Sequence, residues 1–180
     1  MTFSPDGKYL ACRAPSGIAV YAKDPFEPVA QFSDYFGGVA RISFAPGRTV
    51  IALPLPQQNR IRLCDWSRKE NAGSLDEPQG TLAILETAFS PDGTFLLTSG
   101  DHYARFYRFN RTDEKMEVAG HAASVPGLAF SPDGSQLASV SKDRVLKVWD
   151  ATDGCLIREW GALPGMGEFV TYSPDGKLLA

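Results

Sequence analysis

Apolar runs of about five residues, punctuated by clusters of Pro, Asp, Gly and Ser, fill this chain from end to end. Residues 120–160 show the pattern most fully. A short apolar segment, 125–131, is turned by Pro132-Asp133-Gly134. Proline presets φ at the first corner, and glycine accepts the left-handed exit of a tight hairpin. Residues 136–141 follow, with Leu137, Ala138 and Val140 apolar, and Lys142-Asp143-Arg144 makes a second turn. Val145-Leu146-Lys147-Val148-Trp149 is β-branched and aromatic in character. A third turn over 150–154 leads to a last strand over 155–160. Four short strands joined by tight turns predict an antiparallel meander, and no helical period competes with it.

The same rhythm recurs. Tyr9-Leu10-Ala11, Ile18-Ala19-Val20-Tyr21 and Val29-Ala30-Gln31-Phe32 form one copy. Ile42-Ser43-Phe44, Val50-Ile51-Ala52 and Ile61-Arg62-Leu63-Cys64 form a second, and Thr87-Ala88-Phe89, Phe95-Leu96-Leu97 and Arg105-Phe106-Tyr107 a third. The corner Phe-Ser-Pro-Asp-Gly occurs at 3–7, 89–93 and 130–134, with Tyr for Phe at 172–176 and a decayed version at Phe44-Ala45-Pro46-Gly47. The opening aromatics stand at 3, 44, 89, 130 and 172, a period near 42 residues. A fixed period of this size marks a repeat architecture. Several strands are apolar on both faces, as a small sheet sandwiched between neighbours requires. The expected fold is therefore all-β: a β-propeller built from four-stranded antiparallel blades, incomplete as a ring in this chain. The expected blade periods are roughly 1–32, 33–75, 76–119 and 120–161, with a partial one at 162–180. The polar, acidic stretch 71–80 is expected to be a long surface loop that stretches one repeat.

Composition narrows the chemistry. Hydrophobic residues make up 43% and charged residues 22%, as in ordinary globular chains. A net charge of −3 without a Lys/Arg run gives no reason to expect a nucleic-acid partner. Three dispersed cysteines, Cys12, Cys64 and Cys155, suggest neither a disulfide framework nor zinc. Two histidines and isolated turn aspartates suggest no metal, and no nucleotide loop is present, so no cofactor is expected. No secretory signal or membrane-length apolar run is visible, which predicts a cytoplasmic protein and no membrane partner.

The copy at 120–160 resembles a WD40 repeat. Gly120-His121 opens it, Trp149-Asp150 closes its third strand, and Ser139 and Asp143 lie between. The resemblance implies a structural hydrogen-bond tetrad of His121, Ser139, Asp143 and Trp149. Its order would run from indole N–H to serine hydroxyl, hydroxyl to imidazole, and imidazole to carboxylate. In the other copies the Trp149 position becomes Tyr21, Cys64, and Tyr107 or Arg108. Ser139, His121 and Asp143 are also the residue types of a hydrolase triad, but no G-x-S-x-G elbow surrounds Ser139. No catalytic residue is expected.

What the resemblance implies is a non-catalytic interaction scaffold that binds protein or peptide partners through rim loops. Ser124 and Lys142 match rim contact positions, and Tyr35 and Phe36, aromatic residues in a loop, are further candidates. The remaining blades of a longer chain, or a second copy, are possible partners as well. The alternative is a sensory or regulatory propeller attached to a catalytic domain such as a kinase, protease or peptidase.

Overall fold

The computed structural model describes residues 1–180 except 15–16, 34–40, 56–57, 77–83, 101 and 110–114, and the backbone alone at 115–119. Sixteen strands are assigned among these. The first sheet is β1 (Thr2–Phe3), β2 (Tyr9–Ala14), β3 (Gly17–Ala22) and β4 (Glu27–Phe32), in that order. The second is β5 (Ser43–Phe44), β6 (Val50–Leu55), β7 (Arg60–Asp65) and β8 (Glu70–Asp76). The third holds β9 (Ile84–Phe89), β10 (Phe95–Gly100), β11 (Tyr103–Arg108) and β12 (Lys115–Ala119). The fourth holds β13 (Gly127–Phe130), β14 (Gln136–Val140), β15 (Leu146–Asp150) and β16 (Leu156–Trp160). No α-helix occurs among the described residues. The fold is all-β, as the short apolar segments and recurring turns predict.

The corner explains why the sheets start alike. In the fourth sheet Ser131 N–H donates to the Gln136 carbonyl at 2.9 Å, and Gly134 N–H returns to the Ser131 carbonyl at 2.8 Å. The side chains complete the turn: Gln136 N–H donates to Ser131 Oγ at 2.9 Å, and Ser135 N–H to Asp133 Oδ1 at 3.0 Å. Ser4, Ser90 and Ser173 accept in the same way from Tyr9, Phe95 and Leu178. Gly134 has φ of 75°, a left-handed conformation that costs a side-chained residue about 1–2 kcal/mol. The decayed corner lacks the serine and aspartate but keeps Ala45 N–H on the Val50 carbonyl at 2.8 Å. Its left-handed residue is Gly47, one position ahead of the place Gly134 takes.

The residues divide into two compact units, Met1–Phe89 and Ser90–Ala180. In the first, sheets stack through apolar faces. Ala11, Ile18, Val20 and Ala30 of the first sheet share a core with Ile51, Leu53, Cys64 and Trp66. Trp66 leans on Tyr9 with ring centroids 4.3 Å apart. In the second, Ala138, Val140, Val148 and Val170 form a core flanked by Leu146, Leu163, Tyr172 and Leu179. A one-residue bulge recurs at matching places, between Val20 and Tyr21, Leu63 and Cys64, and Val148 and Trp149.

Two expectations change. Residues 70–76 are not loop: Glu70–Asp76 is the outermost strand of the second sheet, paired along β7 from Asp65↔Glu70 to Arg60↔Asp76. Its side chains are polar and mostly exposed because the strand needs a partner on one side only, and Leu75 alone among them is buried. Pairing also settles the third sheet. Leu96 faces Tyr107 as Leu137 faces Trp149, so Tyr107, not Arg108, holds the tryptophan's position. The hairpin loop there is shorter: Gly100 is followed by residues 101 and 102 before Tyr103, against Lys142-Asp143-Arg144 in the fourth sheet.

Candidate functional site

Four residues far apart in sequence meet in the fourth sheet. His121 lies in the segment before β13, Ser139 in β14, Asp143 in the hairpin loop and Trp149 in β15 at the bulge. The Trp149 indole Nε1–H donates to Ser139 Oγ at 2.8 Å. Ser139 Oγ and His121 Nε2 are 2.8 Å apart, and His121 Nδ1 and Asp143 Oδ2 3.0 Å. A hydroxyl that already accepts from the indole can give its proton to Nε2, which places the imidazole proton on Nδ1, facing the carboxylate. Asp143 also takes Ala122 N–H at 2.7 Å and Val145 N–H at 3.0 Å. The aspartate therefore joins the loop before β13 to the β14–β15 hairpin.

Packing holds the ring in place. Gly120 has φ of 149°, and a Cβ there would meet the Trp149 ring at 3.3 Å and Lys147 Nζ at 3.4 Å. Lys147 pairs with Glu159 at 2.9 Å and lies 5.6 Å from the centre of the Trp149 ring. Sequence reading missed both supports. Only the Gly120-His121 dipeptide signalled the first.

The electrostatics follow burial. Desolvation pushes the His121 imidazole below its ordinary value and outweighs the hydrogen bond and charge of Asp143, which raise it. The ring is thus neutral near pH 7, as a Nδ1–H tautomer requires. For Asp143, burial pushes upward, but the N–H of Ala122 and the imidazole of His121 bring the carboxyl below the usual range.

This arrangement does not suit nucleophilic chemistry. Ser139 is 0% exposed, and its oxygen is occupied by the indole N–H. None of the four residues lines the cavities of about 740 Å³ in the first unit or about 580 Å³ in the second. Among the described residues no cluster of three His, Cys, Asp or Glu side chains could hold a metal. No helix among them is long and apolar enough to cross a membrane.

The rim candidates separate. Ser124 and Lys142 are neighbours, with Lys142 N–H on the Ser124 carbonyl at 3.0 Å. Lys142 is exposed and Ser124 half-buried. Tyr35 and Phe36 lie outside the described residues.

Small four-stranded sheets with one recurring corner, one recurring bulge and a buried indole–hydroxyl–imidazole–carboxylate chain define the blades of a β-propeller. The chain carries WD40 repeats in two places: the profile of the WD domain, G-beta repeat, matches residues 73–108 and 113–150. It is similar to a WD repeat-containing protein of Synechocystis, 29% identical over 164 residues, which span 91% of this chain and 46% of that one. The target of rapamycin complex subunit wat1 of Schizosaccharomyces pombe is 25% identical over 77% of this chain and 44% of its own length. The Arabidopsis transcriptional corepressor LEUNIG_HOMOLOG is 28% identical over 86% of this chain and 19% of its own. The chain thus spans less than half the length of each of these relatives.

Proposed function

We propose that this chain is part of a non-catalytic scaffold that holds protein or peptide segments on its rim loops. The carrying observation is the sealed hydroxyl of Ser139: the serine, histidine and aspartate that match a hydrolase triad by type are consumed in joining strands, while Lys142 at the end of the same sheet remains exposed. The names of two relatives, a complex subunit and a corepressor, are those of assembly components and agree with this reading. The tetrad serves here as a clamp that fixes the loop before β13 against the hairpin that carries Lys142. Ser124 and Lys142, with Tyr35 and Phe36, are the proposed contact residues.

Selection of a random peptide library against the intact protein, followed by titration of the winners, tests the scaffold role. Winners should lose affinity for the Lys142→Glu variant. A library that yields no binder, or labelling of Ser139 by a fluorophosphonate probe, overturns the proposal.

A further inference from the structure

Every Ser-Pro dipeptide of the chain sits in a corner, at 4–5, 90–91, 131–132 and 173–174, and the chain has no Thr-Pro. A hydroxyl followed by proline is the minimal acceptor of proline-directed protein kinases. In the first three of these corners the hydroxyl is held alike. Ser4, Ser90 and Ser131 Oγ–H each donate to the aspartate two residues on, at 2.5 Å. Each Oγ accepts the N–H five residues on, at 2.9 Å. The three serines are 8%, 2% and 5% exposed, yet the proline and aspartate after each are exposed. The corner shows its proline to solvent and turns the acceptor hydroxyl inward.

Phosphoryl transfer needs a bare Oγ in line with the γ-phosphorus. The backbone denies this while the corner is closed. Gly7, Gly93 and Gly134 are left-handed, with φ of 69°, 70° and 75°. Their N–H groups return to the carbonyls of Ser4, Ser90 and Ser131 at 2.8 Å. Oγ therefore comes free only when the corner itself opens. The reverse also holds. A phosphate carries a charge of about −1.5 to −2 at pH 7. On Ser131 it would stand against the Asp133 carboxylate, where a hydroxyl proton now sits. The bond from Ser131, above all, holds that carboxyl below its usual range, so the acid is an anion at neutral pH. Two anions cannot share the place of one hydrogen bond, and the corner does not close.

We infer that the corner serines are phosphorylation sites gated by folding: a proline-directed kinase modifies Ser4, Ser90 and Ser131 only while their corners are open, and the phosphate then keeps them open. In the step, serine Oγ bonds to the γ-phosphorus of ATP, the bond from that phosphorus to the β–γ bridging oxygen breaks, ADP leaves, and the serine proton passes to the kinase's base. The corner lies at the opposite end of β14 from Lys142, so the modification is separate from the rim contacts proposed above. The probe is a proline-directed serine kinase with magnesium and ATP, and mass spectrometry locates the phosphate. A peptide of residues 127–137 should be modified at Ser131. The folded protein should react there at least about a hundredfold more slowly, since the rate tracks the open population. Ser139→Ala, which loosens the same sheet, should react faster than wild type, and at the peptide's rate if it does not fold. Ser131→Glu should unfold at lower urea than Ser131→Ala, and Asp133→Asn in both backgrounds should narrow the gap. Wild-type protein modified at the peptide's rate, a peptide that the kinase refuses, or equal urea midpoints for Ser131→Glu and Ser131→Ala overturns the inference.

Discussion

Replacing Ser139 by alanine removes one oxygen and strands two groups. Trp149 Nε1–H loses its acceptor at 2.8 Å, and His121 Nε2 loses its donor at the same distance. Ser139 is fully buried, so water does not take the place of the hydroxyl. Each unmet group costs about 1–3 kcal/mol, which makes the expected loss about 2–6 kcal/mol, a large share of a domain's stability. Trp149→Phe is milder, about 1–2 kcal/mol, because the hydroxyl keeps its bond to the imidazole. In the double variant the indole donor is gone before its acceptor is removed. The combined loss should then fall short of the sum of the single losses by about 1 kcal/mol or more. Equilibrium urea unfolding, followed by circular dichroism, measures all three. A Ser139→Ala loss within about 0.5 kcal/mol of zero, the range of an ordinary surface change, would refute the reasoning.

Because burial holds His121 below its ordinary value of 6.5, the unfolded chain takes the proton more readily than the folded one. Stability should be complete above that pH and decline as pH falls below it; His121→Gln should flatten this part of the urea-midpoint profile, and an unchanged slope would count against the assignment. Gly167→Ala forces a Cβ against Val140 and should cost about 1–3 kcal/mol, with Val140→Ala in the same chain recovering part of it; equal costs in both backgrounds would place the strain elsewhere. Cys155 is exposed and Cys64 buried, so native-state alkylation should find Cys155 first. The Asp153 carboxylate, as acceptor from the Cys155 thiol, raises it, so its labelling should be slow near pH 7 and gain speed only in alkali.

Local chemistry was legible in the sequence and distributed geometry was not. The corner announces itself because Ser131, Asp133 and Gly134 satisfy one another within six residues. The tetrad was readable because its spacing fits a family pattern, although no rule about single residues brings His121 to Ser139. β8 escaped because an outermost strand with one covered face needs few apolar residues, and Glu70–Asp76 buries only Leu75. The position of Tyr107 stayed ambiguous until pairing with Leu96 fixed it, since a hairpin loop one residue shorter shifts the count. The close approach of Gly167 to Val140 was invisible for a different reason: it depends on a missing side chain and on backbone bonds, and neither carries a side-chain pattern.

The bulges at Val20/Tyr21, Leu63/Cys64 and Val148/Trp149 each lie against the last strand of a sheet, β4, β8 or β16. A last strand offers unpaired N–H and carbonyl groups, and β16 adds the exposed side chains of Leu156, Ile157 and Trp160. Such a border would invite fibril growth if it were straight. The extra residue sharpens the local twist, so a foreign chain laid along it falls out of step within a few residues. The extra residue, Ile157 in the case of β16, thus works against the protein's polymerising with itself.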